Sequence, residues 1–177
     1  HLGELEDIEE VAGISTCNRT EFYYVAADPS AALNRILEIL PEYCHYVPMD
    51  EVRKQSYLLE GERAAHHVFR VASGVDSLIV GEAQILGQLR RAYELSNSVG
   101  YVGEQLHGLL QRAITFGRRM RVETDIARGN VSLASISCRL ASQIARPLRE
   151  KSVLLLGAGE TAELAGRAFA KEGVGDM

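Results

Sequence analysis

The run Ser15-Thr16-Cys17-Asn18-Arg19-Thr20-Glu21 sets a thiol in a polar segment between two apolar stretches, with a guanidinium two residues away. Thiolate, not thiol, is the nucleophile, and a fixed positive charge nearby increases the thiolate fraction. The spacing makes Cys17 a candidate for covalent catalysis at a carbonyl carbon. A free cysteine in a polar loop is the commoner occupant of such a position, so this segment alone leaves both readings open.

A second stretch with chemical potential is Gly157-Ala158-Gly159-Glu160-Thr161-Ala162, which follows the apolar run 152–156. Its form is G-x-G-x-x-A, after an expected buried strand and before an expected helix, the context of a dinucleotide fingerprint. Gly157 permits the tight turn, Gly159 lets the backbone approach a pyrophosphate, and Ala162 takes the third position at the helix–strand contact. The N–H groups at the helix start would receive the phosphates. Glycine-rich turns of this kind also occur without a nucleotide. The residue that reads the ribose 2′ position falls about twenty residues further on, past Met177, so NAD and NADP are not distinguished by the motif. A thiol nucleophile and a dinucleotide fold in one chain suggest acyl transfer to cysteine followed by hydride reduction of the thioester to an aldehyde.

The elements that must position these residues are legible from periodicity. Residues 11–15 and Glu21–Ala27 read as strands. Asp28-Pro29 is a helix start, Leu33, Ile36, Leu37 and Leu40 give its apolar stripe, and Pro41 ends it. Residues 41–60 are mixed and turn-rich. A helix is expected from about Gly61 to Ala72, with Ala64, Ala65, Val68 and Ala72 on its buried side, and Gly74–Ser77 breaks it. A second should open at Gly81-Glu82-Ala83-Gln84 and end near Gly100. A third carries Leu106, Leu109, Leu110, Ala113, Gly117 and Met120 along one stripe. Residues 130–146 form another, with Val131, Ala134, Cys138, Ala141 and Ala145 as a stripe of small residues, until Pro147 stops it.

Composition bounds the rest. The apolar fraction of 46% and charged fraction of 24% are those of ordinary globular protein, and no apolar run is long enough to span a bilayer. Cys17, Cys44 and Cys138 are odd in number and irregularly spaced, which argues against a disulfide framework or a zinc site and for a reducing cytoplasm. A net charge of −5 gives no global reason to bind nucleic acid, so any RNA must be met by a local patch. The chain opens without an initiator Met and stops just after one strand and one helix of a nucleotide-binding fold, so a fragment is expected.

The blocks STCNRTEFY, HHVFRVASGVDSLIVGEAQILGQ, RVETDI and LLLGAGETAELA resemble, in order, the signature blocks of glutamyl-tRNA reductase, and the resemblance spans nearly the whole chain. It implies an α/β protein. Residues 1–130 would be an α+β catalytic domain with a ferredoxin-like sheet, lacking its first strand and helix. Residues 131–177 would be a connecting helix and the truncated start of an NADP-binding Rossmann domain. The activity implied is NADPH-dependent reduction of glutamyl-tRNA to glutamate-1-semialdehyde, the first step of tetrapyrrole synthesis. The same resemblance implies a homodimer and handover of the aldehyde to an aminomutase.

Position by position, the resemblance makes Cys17 the nucleophile, Arg19 the holder of a substrate carboxylate with Thr16 beside it, and His67 the active-site histidine. Ser77, Glu82 and Gln84 match residues lining a glutamate pocket, with Glu82 facing the substrate ammonium; by spacing alone Ser77 and Glu82 would equally be a helix cap and a first-turn charge. Helix geometry puts His67 nearer the apolar face and His66 with Arg70 on the other side. Arg112, Arg118, Arg119 and Arg121 form a cationic cluster that could meet tRNA phosphates, although they do not share one helical face. Two rivals stay open: a thiol-dependent aldehyde dehydrogenase acting on a small molecule, and a non-catalytic regulator that binds tRNA or haem.

Overall fold

The computed structural model describes residues 7–43, 48–82, 84–127 and 133–177. Cys44, Ala83 and Val131 lie outside them. Strands β1 (Glu10–Ser15) and β2 (Thr20–Val25) pair antiparallel from Glu10↔Val25 to Ser15↔Thr20, which leaves Thr16–Arg19 as the hairpin loop. Helices follow as α1 (Pro29–Ile39), α2 (Met49–Gln55), α3 (Gly61–Ser73), α4 (Gln84–Ser98), α5 (Glu104–Glu123), α6 (Leu133–Ile144) and α7 (Glu160–Lys171). The architecture is α/β, mostly helical, with a small two-stranded sheet among the described residues.

Strand alternation gives the hairpin two covered faces. Ala12, Ile14, Tyr23 and Val25 turn toward Val68, Val71, Leu89, Leu110 and Ala113 of α3, α4 and α5. Val11, Phe22 and Tyr24 turn the other way, toward Ala32 and Ile36 of α1. The expected stripes hold: Ile36 and Leu37 of α1, Val68 and Ala72 of α3, and Leu106, Leu110, Ala113 and Gly117 of α5 are buried. Asp28 caps α1 through its Oδ1, which accepts the N–H groups of Ser30 and Ala31, and Pro29 supplies the first turn. α5 lacks a cap of its own, and the Glu10 carboxylate of β1 accepts the N–H groups of Gln105 and Leu106 at 3.1 and 2.8 Å.

Two expectations are corrected. The mixed stretch 41–60 contains α2, whose seven residues are too few to show an apolar period and none of which is buried. The apolar run 152–156 is not a ladder strand: only Ser152 pairs, in a parallel bridge to Asp176, and Leu154 and Leu156 stand 82% and 89% exposed. A parallel strand is stabilised by neighbours on both edges, and one bridge cannot supply them. This region has its own small core of Cys138, Leu148 and Phe169, which joins α6 to α7. Cys138 is a core residue, as expected.

β2 also presents an edge. Thr20 through Ala26 all line a cavity of about 450 Å³, whose far wall includes Ser56–Glu60. Side chains on a strand alternate between faces, so an unbroken run of lining residues means that the backbone edge itself faces the space.

α3 and α5 approach closely because position 117 has no side chain: a Cβ there would stand 2.4 Å from the Ala72 carbonyl oxygen. Gly108, on the same helix, has nothing within 4 Å. Gly117→Ala should therefore lower stability by about 1–3 kcal/mol through overpacking, whereas Gly108→Ala should raise it by about 0.5–1 kcal/mol through helix propensity. Urea titrations of the two variants check both signs.

Candidate active site

Thr16 shapes the hairpin loop. Its N–H donates to the Arg19 carbonyl at 2.9 Å, and its Oγ1 accepts the N–H groups of Asn18 and Arg19 at 3.2 and 3.1 Å. A hydroxyl closing a turn this way offers the backbone a local alternative to the ladder, and it leaves Cys17 exposed at the tip with a free thiol.

Arg19, one step further, points inward and is only 15% exposed. Its Nη1 donates to Glu21 Oε1 and to Asp76 Oδ2, each at 3.0 Å, and its Nη2 donates to the Asp76 carbonyl oxygen. Asp76 also accepts from Arg70 at 3.1 Å. Glu21, 10% exposed, accepts at Oε1 from His67 Nε2 at 3.0 Å and at Oε2 from the Tyr23 hydroxyl at 2.5 Å. The edge of the Tyr57 ring faces His67 at 6.0 Å. Arg70, Asp76, Arg19, Glu21 and His67 thus form one connected chain of ion pairs and hydrogen bonds beside the hairpin loop that carries Cys17.

The electrostatics follow from that chain. Burial alone would raise the Glu21 carboxyl, but hydrogen bonds from His67 and Tyr23 and the charges of His67 and Arg19 outweigh it, and the group is held below the usual carboxylate range. Asp76 is held low in the same way: burial opposes ionisation, and Arg70 and Arg19 overcome it. Burial, with the Glu21 charge added, pushes the Tyr23 phenol far up, so it stays a donor. An ionised Glu21 can only accept. In neutral His67 the proton therefore sits on Nε2, and Nδ1 carries the free lone pair.

The segment between α3 and α4 brings Asp76 to this place. Gly74 ends α3 with φ +78°, and its carbonyl accepts the Gly81 N–H at 2.9 Å. Gly81 has φ +81°, and a Cβ on it would lie 1.9 Å from the Ile126 carbonyl oxygen. Only glycine fits there. Arg121 braces the base of the loop from α5: Nη1 donates to the carbonyls of Ala72 and Gly117, both at 3.0 Å, and Nη2 to that of Glu82 at 2.7 Å. Its Nε is buried without a partner, and burial lowers its pKa against the opposing charge of Glu82.

The structure therefore joins Thr16 to Arg19 directly and Arg19 to His67 through Glu21, and carries Ser77 and Glu82 on the braced loop. Gln84 is the exposed first residue of α4. His67 is half-buried against the site while His66 is exposed, as helix geometry indicates. Sequence reasoning missed Glu21, Asp76 and Arg70. Glu21 and Asp76 stand inside the quoted blocks, but nothing in linear spacing says that residues 57 apart will pair. The proposed arginine cluster is corrected at one member: Arg121 is turned inward onto backbone carbonyls, whereas Arg112, Arg118 and Arg119 are exposed, Arg119 beside Glu123 at 2.8 Å.

Around Gly157 the structure gives an open turn before a helix, without the paired strand that the dinucleotide reading expected in front of it. Gly157 has φ +131°, and a Cβ at Gly157 or Gly159 would meet nothing within 4 Å. Gly159 begins α7 without a side-chain cap, Ala158 and Thr161 are exposed, and Ala162 is half-buried. The turn is open on the side of both glycines and leads into the start of α7, whose first N–H groups are the kind of donor a phosphate could meet.

The first 124 residues match the family model for the glutamyl-tRNA(Glu) reductase N-terminal domain. The chain belongs to the glutamyl-tRNA reductase family. It is 43% identical over 170 residues to the glutamyl-tRNA reductase of Citrifermentans bemidjiense, covering 96% of this chain and 39% of the relative. The corresponding protein of Saccharophagus degradans is 42% identical over 167 residues, covering 94% and 38%. The solved glutamyl-tRNA reductase from Methanopyrus kandleri superposes with a TM-score of 0.59 at 33% identity, covering 94% of this chain and 38% of that one. The chain thus spans about two fifths of the length of the glutamyl-tRNA reductases it matches.

The pH dependence of stability tests the network. Because the folded-state pKa of Glu21 is depressed, its contribution is complete above the ordinary carboxylate range and is lost as pH falls through the lower folded value. Glu21→Gln should have a lower Tm than the parent at pH 7, with the gap closing as pH falls below 4. A gap that stays constant across that range rejects the coupling.

Proposed function

We propose that this chain is the catalytic part of an NADPH-dependent glutamyl-tRNA reductase, with residues 1–130 as catalytic domain and 131–177 as the start of the cofactor domain. The observation that carries the reading is an exposed Cys17 in a hairpin loop that also holds a largely buried arginine. Of the five N–H donors of Arg19, Glu21 and Asp76 take three. Among the described residues one on Nε and one on Nη2 remain for the substrate carboxylate, in the forked arrangement an arginine offers.

In this reading the Cys17 thiolate attacks the ester carbonyl of glutamyl-tRNA. A C–S bond forms, the ester C–O bond breaks, and the terminal ribose of the tRNA leaves as its hydroxyl. His67 Nδ1 accepts the thiol proton and returns it to that leaving oxygen, while Glu21 fixes the imidazole through Nε2. Thr16 shapes the loop, and Ser77, Glu82 and Gln84 line the glutamyl group, with Glu82 toward its ammonium. A reduced nicotinamide dinucleotide held by Gly157, Ala158, Gly159, Glu160, Thr161 and Ala162 would supply the hydride that converts the thioester to the aldehyde and frees the thiolate. The product is glutamate-1-semialdehyde, the entry to tetrapyrrole synthesis. The full-length enzyme is read as a cytoplasmic homodimer that delivers the aldehyde to an aminomutase. Among the described residues no helix is long and apolar enough to cross a membrane.

Intact-protein mass spectrometry of the full-length enzyme mixed with glutamyl-tRNA, without nicotinamide, is the deciding experiment. The expected result is a glutamyl adduct on Cys17 that free glutamate does not give and Cys17→Ser, still folded, does not form. Charged tRNA that leaves folded protein unmodified points to a regulator or to a small-molecule dehydrogenase. Arg19→Lys should lower kcat/KM at least tenfold, because an ammonium cannot make the fork; an unchanged value rejects the carboxylate role.

A further inference from the structure

With a net charge of −5 the chain has no general attraction for a polyanion, and the arginines of α5 expected to supply a local one are partly withdrawn. α3 offers another. Arg63, His66 and Arg70 fall at i, i+3 and i+7 on the polar face of the helix, and His67, at i+4, borders that face on its apolar side. They line a groove of about 420 Å³ together with Leu59 and Glu62. The groove leads out of the reactive cluster, because His67 touches Glu21 and Arg70 touches Asp76. At its far end Arg63 is exposed and, among the described residues, has no side-chain partner. From Arg63 to Arg70 the face runs about 10 Å at 1.5 Å per residue, a length over which a stacked strand rising about 3.4 Å per nucleotide carries several phosphates.

We propose that this face of α3 seats the phosphates of the tRNA 3′ end while its terminal ester lies at Cys17. The inference rests on the reading of the substrate given above and adds the path by which the RNA reaches the thiol. A cation placed there does two things: it attracts the strand, and by its distance along the helix from His67 it sets how far the terminal nucleotide extends toward the hairpin. Glu62 lines the same groove and opposes the phosphates, so the two charges make opposite predictions.

The test is equilibrium binding of uncharged, fluorescently labelled tRNA to the full-length enzyme across a salt series. Each phosphate contact on a single strand contributes a slope of about −0.7 in log K against log salt. Arg63→Gln should make the slope shallower by about 0.7 and weaken low-salt affinity 3- to 10-fold. Glu62→Gln should tighten binding 2- to 3-fold. Slopes and affinities that do not move in either variant overturn the proposal, as does wild-type enzyme that fails to bind tRNA. Binding that follows Arg63 while Cys17 acquires no adduct from charged tRNA leaves the RNA path standing and removes the thioester chemistry instead.

Discussion

The pairing of Arg19 with Asp76 is the contact on which the site depends. It ties the hairpin to the loop between α3 and α4, two segments 57 residues apart that have no ladder between them. Neither partner is isolated. Arg70 takes the second oxygen of Asp76, Glu21 takes the second hydrogen of Arg19 Nη1, and His67 and Tyr23 complete Glu21. In a partly buried cluster, deleting one charge leaves its neighbour desolvated and unpaired, which costs more than the lost attraction. The order of signs along the chain therefore holds every member in place.

The carboxylate side of that pair is delivered by backbone geometry rather than by a rigid element. Gly74 and Gly81 both occupy the left-handed region, and the Gly81 N–H closes on the Gly74 carbonyl. A guanidinium whose two terminal nitrogens donate to three neutral carbonyls then locks the base of the loop to α5. Arg121 reaches no substrate in this arrangement. What it does is remove freedom from the loop that carries Asp76, Ser77 and Glu82, which is how a site on a loop acquires the precision of one on a helix.

How much of this was legible depended on whether the signal was local. Asp28-Pro29, the stripes of α1, α3 and α5, and the strand-forming run through Phe22-Tyr23-Tyr24 are written in neighbouring residues, and those elements stand within a residue or two of expectation. Cys17 stood out by its spacing beside Arg19, but the roles of Arg19 and His67 came through the resemblance. Glu21 and Asp76 were not found, and Arg121 was assigned to a phosphate-facing cluster, because their meaning lies in partners 46, 57 and 49 residues away. The run 152–156 was misjudged for a related reason. Its composition fits a buried strand, but strandedness belongs to a pair, and Ser152 alone has one.

The Glu10 carboxylate that closes the start of α5 also acts as a proofreader of strand alignment. Glu10 stands opposite Val25 in the hairpin, and the N–H groups it receives lie 95 and 96 residues further along the chain. A slip of one residue in β1 would turn Ala12 and Ile14 to the wrong face, and in the same movement would lift the carboxylate off Gln105 and Leu106. The misaligned hairpin would thus lose apolar burial and leave a helix end open at once. Because the alignment determines which four residues form the loop, a helix cap far from the thiol decides that Cys17, and not its neighbour, stands at the tip.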